Sequence, residues 1–373
     1  MSLKDSQLNM YEHSEVKVQL LKLYLERYLN ILNLSPYTSD LNIYDLFCSE
    51  GVYDNGGKGS PICILETIKP IFVDNLLKGK TGRFNCLFND NDAAKVAKLQ
   101  ATVNQMELNR LQTGGPRYEN KEYKNILTEV VGEINQFQSQ KAFIFIDPYG
   151  YKDISVQDIK KLLKSKKTEV LLFLPTQFMF RFEKNGTPQC LKDFIAELLP
   201  ETEWPTSSTG LDFIENLKDA FRKNVGNDFF VDSFVITRDK NQFFCLFFFT
   251  SHIYGFDRML DSKWQIDEEE GRGWSYEGDS LFNQVVKTAN TVKFERNLIS
   301  FLKAGERTNS DIYVFTLHQG HLTKHTNQIL SKLQDENRLI VLQKDGKMAR
   351  KGSFYINYKD HKNSPDKVKF KIK

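Results

Sequence analysis

The sequence predicts an α/β protein: a mostly parallel sheet closed by an antiparallel hairpin, followed by a smaller helical unit with a basic β-hairpin. Three observations predict it. Short apolar runs alternate with amphipathic stretches through the first half of the chain, the pattern of βαβ units. Two long apolar runs, residues 229–236 and 242–250, face each other across Arg238-Asp239-Lys240-Asn241, the pattern of a hairpin. Beyond residue 285 the pattern changes to three helices and two short strands.

The elements follow in order. Residues 14–32 place Val18, Leu21, Leu25 and Leu29 at helical spacing among Lys17, Lys22 and Glu26, with Ser14 as the expected N-cap. Residues 42–48 read as a first strand, followed by a glycine-rich loop and a helix over 62–77 that Ser60 would cap, with Pro61 at its first position. A strand over 83–88 ends in Asn89-Asp90-Asn91-Asp92, and a helix over 93–112 follows. Residues 141–147 form a third apolar strand with turn signals behind it at Pro148 and Gly150. A helix over 156–164 and a strand over 169–174 complete the parallel part. Residues 261–285 read as a polar connection.

In the last part, helices are expected over 297–302, 308–316 (capped by Thr308 or Asn309) and 324–336. Strands over 338–342 and 353–358, joined by Lys344-Asp345-Gly346-Lys347, would form the hairpin. Three helices and a hairpin are the outline of a winged helix. The expected domains are 1–285 and 286–373.

Composition limits the function classes. The 373 residues carry a net charge of only +3, so the whole chain is no polycation. The charge is uneven, however: residues 338–373 hold eleven Lys or Arg against three Asp, an imbalance that suits a polyanion partner, while the last dozen residues read as a frayed tail. The 29 Phe demand a large packed core. No apolar run approaches the ~20 residues of a membrane span, and the first residues lack a signal-peptide pattern. Five scattered Cys without a CxxC pair argue against a disulfide framework or cysteine zinc site, and a cytoplasmic location is expected.

Three strand ends carry the candidate chemistry. Asp45-Leu-Phe-Cys-Ser-Glu-Gly51 ends the first strand, where ligands of doubly wound sheets sit. Its glycine allows close backbone approach, although a plain βα turn has the same form. Asp90, at the end of the second strand, can accept hydrogen bonds from both hydroxyls of a ribose; Asp90 or Asp92 could equally cap the helix that follows. Asp147-Pro148-Tyr149 ends the next apolar strand. There an exocyclic amine could donate to the Asp147 carboxylate and the Pro148 carbonyl while its ring stacks on Tyr149. Those contacts would raise electron density on a nitrogen attacking an electrophilic methyl. A turn closing a buried strand is the plainer reading. His318, His321 and His325 lie three and four apart, but Gly320 interrupts the series; they read as surface or nucleic-acid-facing residues, and no metal is expected. No Pro-Cys pair exists to make a cysteine nucleophile of the cytosine-methylating kind.

The loop from Asp45 to Gly51 resembles the Asp-x-Phe-x-Gly-x-Gly cofactor loop of class I S-adenosylmethionine (SAM)-dependent methyltransferases, and Asp-Pro-Tyr-Gly (147–150) looks like a variant of the Asp/Asn-Pro-Pro-Tyr/Phe motif of amino-methyltransferases. Together with His13-Ser-Glu-Val-Lys17, Gly59-Ser-Pro61 and Gly255-Phe-Asp-Arg-Met-Leu260, the set resembles the three-Cys-motif partner protein (TcmP) family over roughly residues 13–265. The resemblance implies a Rossmann-like methyltransferase sheet that binds SAM through Asp45, Phe47, Ser49, Gly51 and Asp90. Asp147, Pro148 and Tyr149 would be catalytic, with a planar base nitrogen as acceptor. It also implies a partner bearing a three-cysteine motif. The alternative is a non-catalytic SAM-binding or nucleic-acid-binding subunit of that partner. DNA or RNA would lie against the winged helix, with Lys324 in a groove and Lys344, Lys347, Arg350 and Lys351 on phosphates. A winged helix that binds protein instead is the other possibility. Two departures stand out. Ser49 replaces the first loop glycine, a change that a negative φ would tolerate, and Tyr149 replaces the second proline.

Overall fold

A computed structural model describes residues 10–80, 83–110, 115–149, 154–176, 193–194, 196–197, 209–239, 242–275 and 287–373. Gly150, Cys190, the hairpin residues Lys240 and Asn241, and residues 276–285 of the polar connection lie outside the described residues. The chain divides into two compact units: Met1–Gly255 with Gly273–Asp279, and Phe256–Arg272 with Ser280–Lys373.

The first unit contains α1 (Glu12–Asn33), β1 (Asp40–Asp45), α2 (Ser60–Leu77), β2 (Arg83–Asn89), α3 (Ala93–Gln105) and β3 (Arg117–Glu119). It continues with α4 (Tyr123–Asn135), β4 (Lys141–Ile146), α5 (Val156–Leu163), β5 (Thr168–Leu174), α6 (Gly210–Val225), β6 (Phe230–Asp239), β7 (Gln242–Thr250) and β8 (Gly273–Ser275). The sheet order is β3-β2-β1-β4-β5-β7-β6-β8. Strands β1 to β5 pair in parallel, and β7 lies antiparallel between β5 and β6. This is the mostly parallel α/β sheet the sequence predicts, with the expected closing hairpin. Sequence periodicity missed β3, α4, α6 and β8; the last pairs with β6 from within the supposed polar connection 261–285, whose first residues, to Ile266, are helical. The first helix starts earlier than expected: Tyr11 is its N-cap and Ser14 is buried inside it. Ser60 is likewise not a cap, because Gly59 holds that position.

Phenylalanine closes the sheet. Phe247 and Phe249 on β7 are fully buried with Phe221 of α6, whose ring meets theirs at 5.0 and 5.2 Å. On the other face, α1 is tied down by polar contacts in an apolar setting. The Tyr24 hydroxyl donates to Glu169 of β5, and the Thr250 hydroxyl donates to it at 2.7 Å. Burial raises the Glu169 carboxyl to about 7. Gly255 is a glycine for want of space: a Cβ there would stand 2.2 Å from Glu169 Oε1. It lies in α7 (Ile253–Ile266), so the segment 255–260 is helical.

The second unit holds α8 (Val292–Lys303), β9 (Arg307–Thr308), α9 (Asn309–His318), α10 (Thr323–Asp335), β10 (Leu339–Gln343), α11 (Tyr358–Asn363) and β11 (Val368–Ile372). Its three-stranded sheet has the order β10-β11-β9. Thr308 caps α9 as expected, and Asp311 returns a bond to the Thr308 N–H. Two expectations are corrected. The strand expected over 353–358 is absent; Leu342 bridges Met348 in a tight turn instead, and the segment turns inward to bury Phe354 and Ile356. The supposed frayed tail is β11, the middle strand of the sheet. Its alternation buries Val368 and Phe370 while Lys369 and Lys371 face solvent, a period-2 signal hidden by the lysines. The histidines are corrected as well. His321 and His325 are buried rather than surface-facing: His321 stacks on Phe294 at 4.2 Å, and His325 packs on Trp264 at 4.3 Å. Burial pushes them down to about 3 and about 4. Among the described residues no helix is long and apolar enough to cross a membrane.

Phe370 is fully buried in β11, so Phe370→Ala is expected to cost about 3–5 kcal/mol, read as a lowered denaturant midpoint of the second unit. A frayed tail would leave the midpoint unchanged.

Candidate active site

The register of three strands builds the site. Asp45 is level with Phe88 on β2 and with Phe145 on β4. Asp90 and Asp147 each follow those partners by two residues, so all three carboxylates emerge at the carboxyl edge of neighbouring strands.

Asp45 is fully buried. Its Oδ1 accepts the Phe47 N–H at 3.3 Å, while Oδ2 is buried without a hydrogen-bond partner. Burial raises the carboxyl to about 7; the Ser60 hydroxyl pulls it down, nearby Asp147 pushes it up, and Lys17 pulls it down. Ser60, unneeded as a cap, thus lowers this carboxyl while leaving Oδ2 without a bond. The loop then turns sharply. Ser49 has φ +52, against the negative φ that its side chain would favour, and Gly51 has φ +81. A Cβ on Gly51 would lie 2.4 Å from Leu99 Cδ1. The turn is fixed by the Ser49 N–H, which donates to Asp90 Oδ2 at 3.0 Å, and by the Gly59 N–H, which donates to the Gly51 carbonyl at 2.8 Å. Phe47 turns its ring away to stack on Tyr123 at 5.2 Å, so it contributes its backbone to this loop.

The two aspartates after β2 have separate tasks. Asp92 caps α3, accepting the Ala94 and Lys95 N–H groups. Asp90 is buried and receives the Ser49 and Asp92 N–H groups, one on each oxygen. A carboxylate oxygen accepts more than one bond, so both keep capacity for hydroxyl donors.

Asp147 forms an ion pair with Lys17 of α1, and Pro148 behind it is buried. The Tyr149 ring is 57% exposed. Lys95 lies 4.3 Å from its centroid and donates to its hydroxyl at 2.5 Å; that hydroxyl donates to Ser49 Oγ at 3.4 Å. Tyr149 therefore bridges the first and third strand ends. Sequence reasoning missed two of these residues, Lys17 and Lys95. Lys17 looked like the polar face of a helix, although it lay inside the quoted segment from His13. Cys48 is buried, and burial raises its thiol far above the ordinary range, so it is no nucleophile.

In the second unit Lys324, Lys344, Lys347, Arg350 and Lys351 are all exposed. Lys344 pairs with Asp366 at 2.7 Å, Lys347 with Asp345 at 3.1 Å, and Lys351 with Asp335. Pairs this exposed are worth about 0–1 kcal/mol, little against a phosphate.

Residues 266–346 match the GMT-like wHTH domain family. The match stops short of β11, which completes that domain's sheet. No curated protein matches the chain. Among solved structures, the chain is similar to a Legionella pneumophila protein (10% identity, TM-score 0.35, 63% of this chain and 85% of that one). It is also similar to a Klebsiella pneumoniae protein provisionally described as an O-methyltransferase (10%, 0.32, 62% and 80%). A third is the methyltransferase domain of a bacterial Hen1 protein (12%, 0.31, 62% and 98%). At such scores the fold rests on the strand order.

The positive φ at Ser49 is a cost that glycine would not bear. Ser49→Gly is expected to raise the unfolding free energy by about 1 kcal/mol, measured by urea titration.

Proposed function

We propose that the protein is a SAM-dependent methyltransferase acting on nucleic acid, with the winged helix as its nucleic-acid-binding unit. One observation carries the cofactor reading. Asp45 Oδ2 is an acceptor buried without a partner, beside a glycine loop that admits no Cβ. An orphaned acceptor in so dry a place costs stability unless a ligand donor meets it, and the α-ammonium of a methionine moiety is such a donor. The residues fit the group. Asp45 and the Ser49–Gly51 backbone would hold the methionine end, Asp90 the ribose hydroxyls, and Asp147 with Pro148 and Tyr149 would face the acceptor. SAM supplies an electrophilic methyl group; the chain's own residues position and desolvate the reactants. The exposed Tyr149 ring suits an unpaired nucleotide, and a nucleotide in a duplex would have to be flipped out to reach it. The basic wing supports a polyanionic substrate. Cooperation with a three-Cys-motif protein remains part of the proposal on the resemblance alone.

Calorimetry tests the cofactor step. Asp45 titrates near 7 in the free protein because it is buried, and it must be ionised to pair with an ammonium. SAM affinity is therefore expected to rise as pH increases through about 7 and to level off above it. Asp45→Asn should weaken binding roughly 10–100-fold and remove that pH dependence. Absence of SAM binding at millimolar ligand would sink the reading. In a second assay, Asp147→Ala should abolish methyl transfer from labelled SAM to nucleic acid while SAM still binds. Wild-type protein that binds SAM but labels no nucleic acid would instead favour the non-catalytic subunit.

A further inference from the structure

The acceptor motif does not stand alone: Lys17 reaches its carboxylate from α1. The residue is 8% exposed, and its Nζ lies 4.6 Å from the centroid of the Phe173 ring on β5, the strand beside β4. Burial opposes the charge, but Asp147, Tyr53 and Asp45 more than offset it, so the ammonium is held above its ordinary range and stays protonated at neutral pH. A cation is thus built into the place where the methyl acceptor would sit, on a side chain that is itself largely withdrawn from water. Charges act strongly there.

That cation discriminates between acceptors. A neutral nitrogen gains positive charge as it attacks a methyl group, and an adjacent ammonium opposes this. A hydroxyl oxygen gains negative charge as its proton leaves, and the same ammonium stabilises it.

Resting on the methyltransferase reading above, we propose that the acceptor is a hydroxyl, the ribose 2′-hydroxyl of RNA, and that Lys17 stabilises the developing alkoxide while Asp147 takes its proton. Within a DNA strand no free hydroxyl exists, which leaves RNA. In the step, the hydroxyl oxygen forms its bond to the methyl carbon as the carbon–sulfur bond of SAM breaks. The electron pair goes to sulfur, and the hydroxyl proton passes to the Asp147 carboxylate. Asp147 is 21% exposed and can release the proton to solvent. The expected base nitrogen gives way to a sugar oxygen.

The test uses the full chain with methyl-labelled SAM and, separately, total RNA and genomic DNA, each digested to nucleosides and analysed by mass spectrometry. Label on the ribose of RNA nucleosides is expected. Label on a base, or in DNA, overturns this inference and leaves the methyltransferase reading standing; no label in either, with SAM bound, overturns both. Lys17→Met should lower the rate at saturating SAM about 10²–10³-fold, while calorimetry still shows SAM binding, its pH dependence moved upward because Asp45 has lost a nearby cation. Lys17→Arg keeps the charge, covers the case in which Met does not fold, and should retain part of the rate. A Lys17 that only ties α1 to the sheet would show the reverse: a lower melting temperature at unchanged rate in the Met variant.

Discussion

One alignment governs the molecule: Asp45 sits opposite Phe88 on one side and Phe145 on the other. A parallel ladder has a single direction, so whatever follows these residues must leave by the same edge. Three acidic side chains meet there because backbone pairing leaves them nowhere else to go. β1 and β4 are buried on both faces, so a slip of one residue would exchange their packed side chains between the two sides of the sheet and break the fit on each. The core thus sets the site before any polar contact forms.

Polar contacts then finish what the ladder begins. The Ser49 N–H on Asp90 and the Tyr149 hydroxyl on Ser49 link loops that are distant in sequence. Holding Ser49 at φ +52 is the strained part of this arrangement. Strain of this kind persists only where the surroundings over-determine it. Here Asp90 supplies the determining bond, which explains why the loop keeps its shape with serine where the related pattern has glycine.

The parts legible in the sequence share one property: their signal is local. Alternating apolar runs gave the strands around Asp45, Asp90 and Asp147, and the run 243–249 gave the hairpin strand. Thr308 and Asp311, three apart, gave the start of α9. The illegible parts depend on distant partners. Ser14 and Ser60 carry the chemistry of caps, yet one is buried in the helix and the other answers to Asp45, 15 residues earlier. Lys17 is indistinguishable from a solvated lysine until Asp147, 130 residues later, is folded beside it. His321 and His325 look like surface groups until Phe294 and Trp264 close over them.

The place of β11 in the second sheet also bears on biosynthesis. It lies between β10 and β9, yet both neighbours precede it in the chain. Until residues 368–372 have left the ribosome, the two outer strands have no common partner. Leu339 and Val341, buried in the finished unit, lack their partners Ile372 and Phe370 until then. The sheet of the winged unit thus closes only once its central strand is made, and a nascent chain stalled in the wing would present an open strand edge to chaperones.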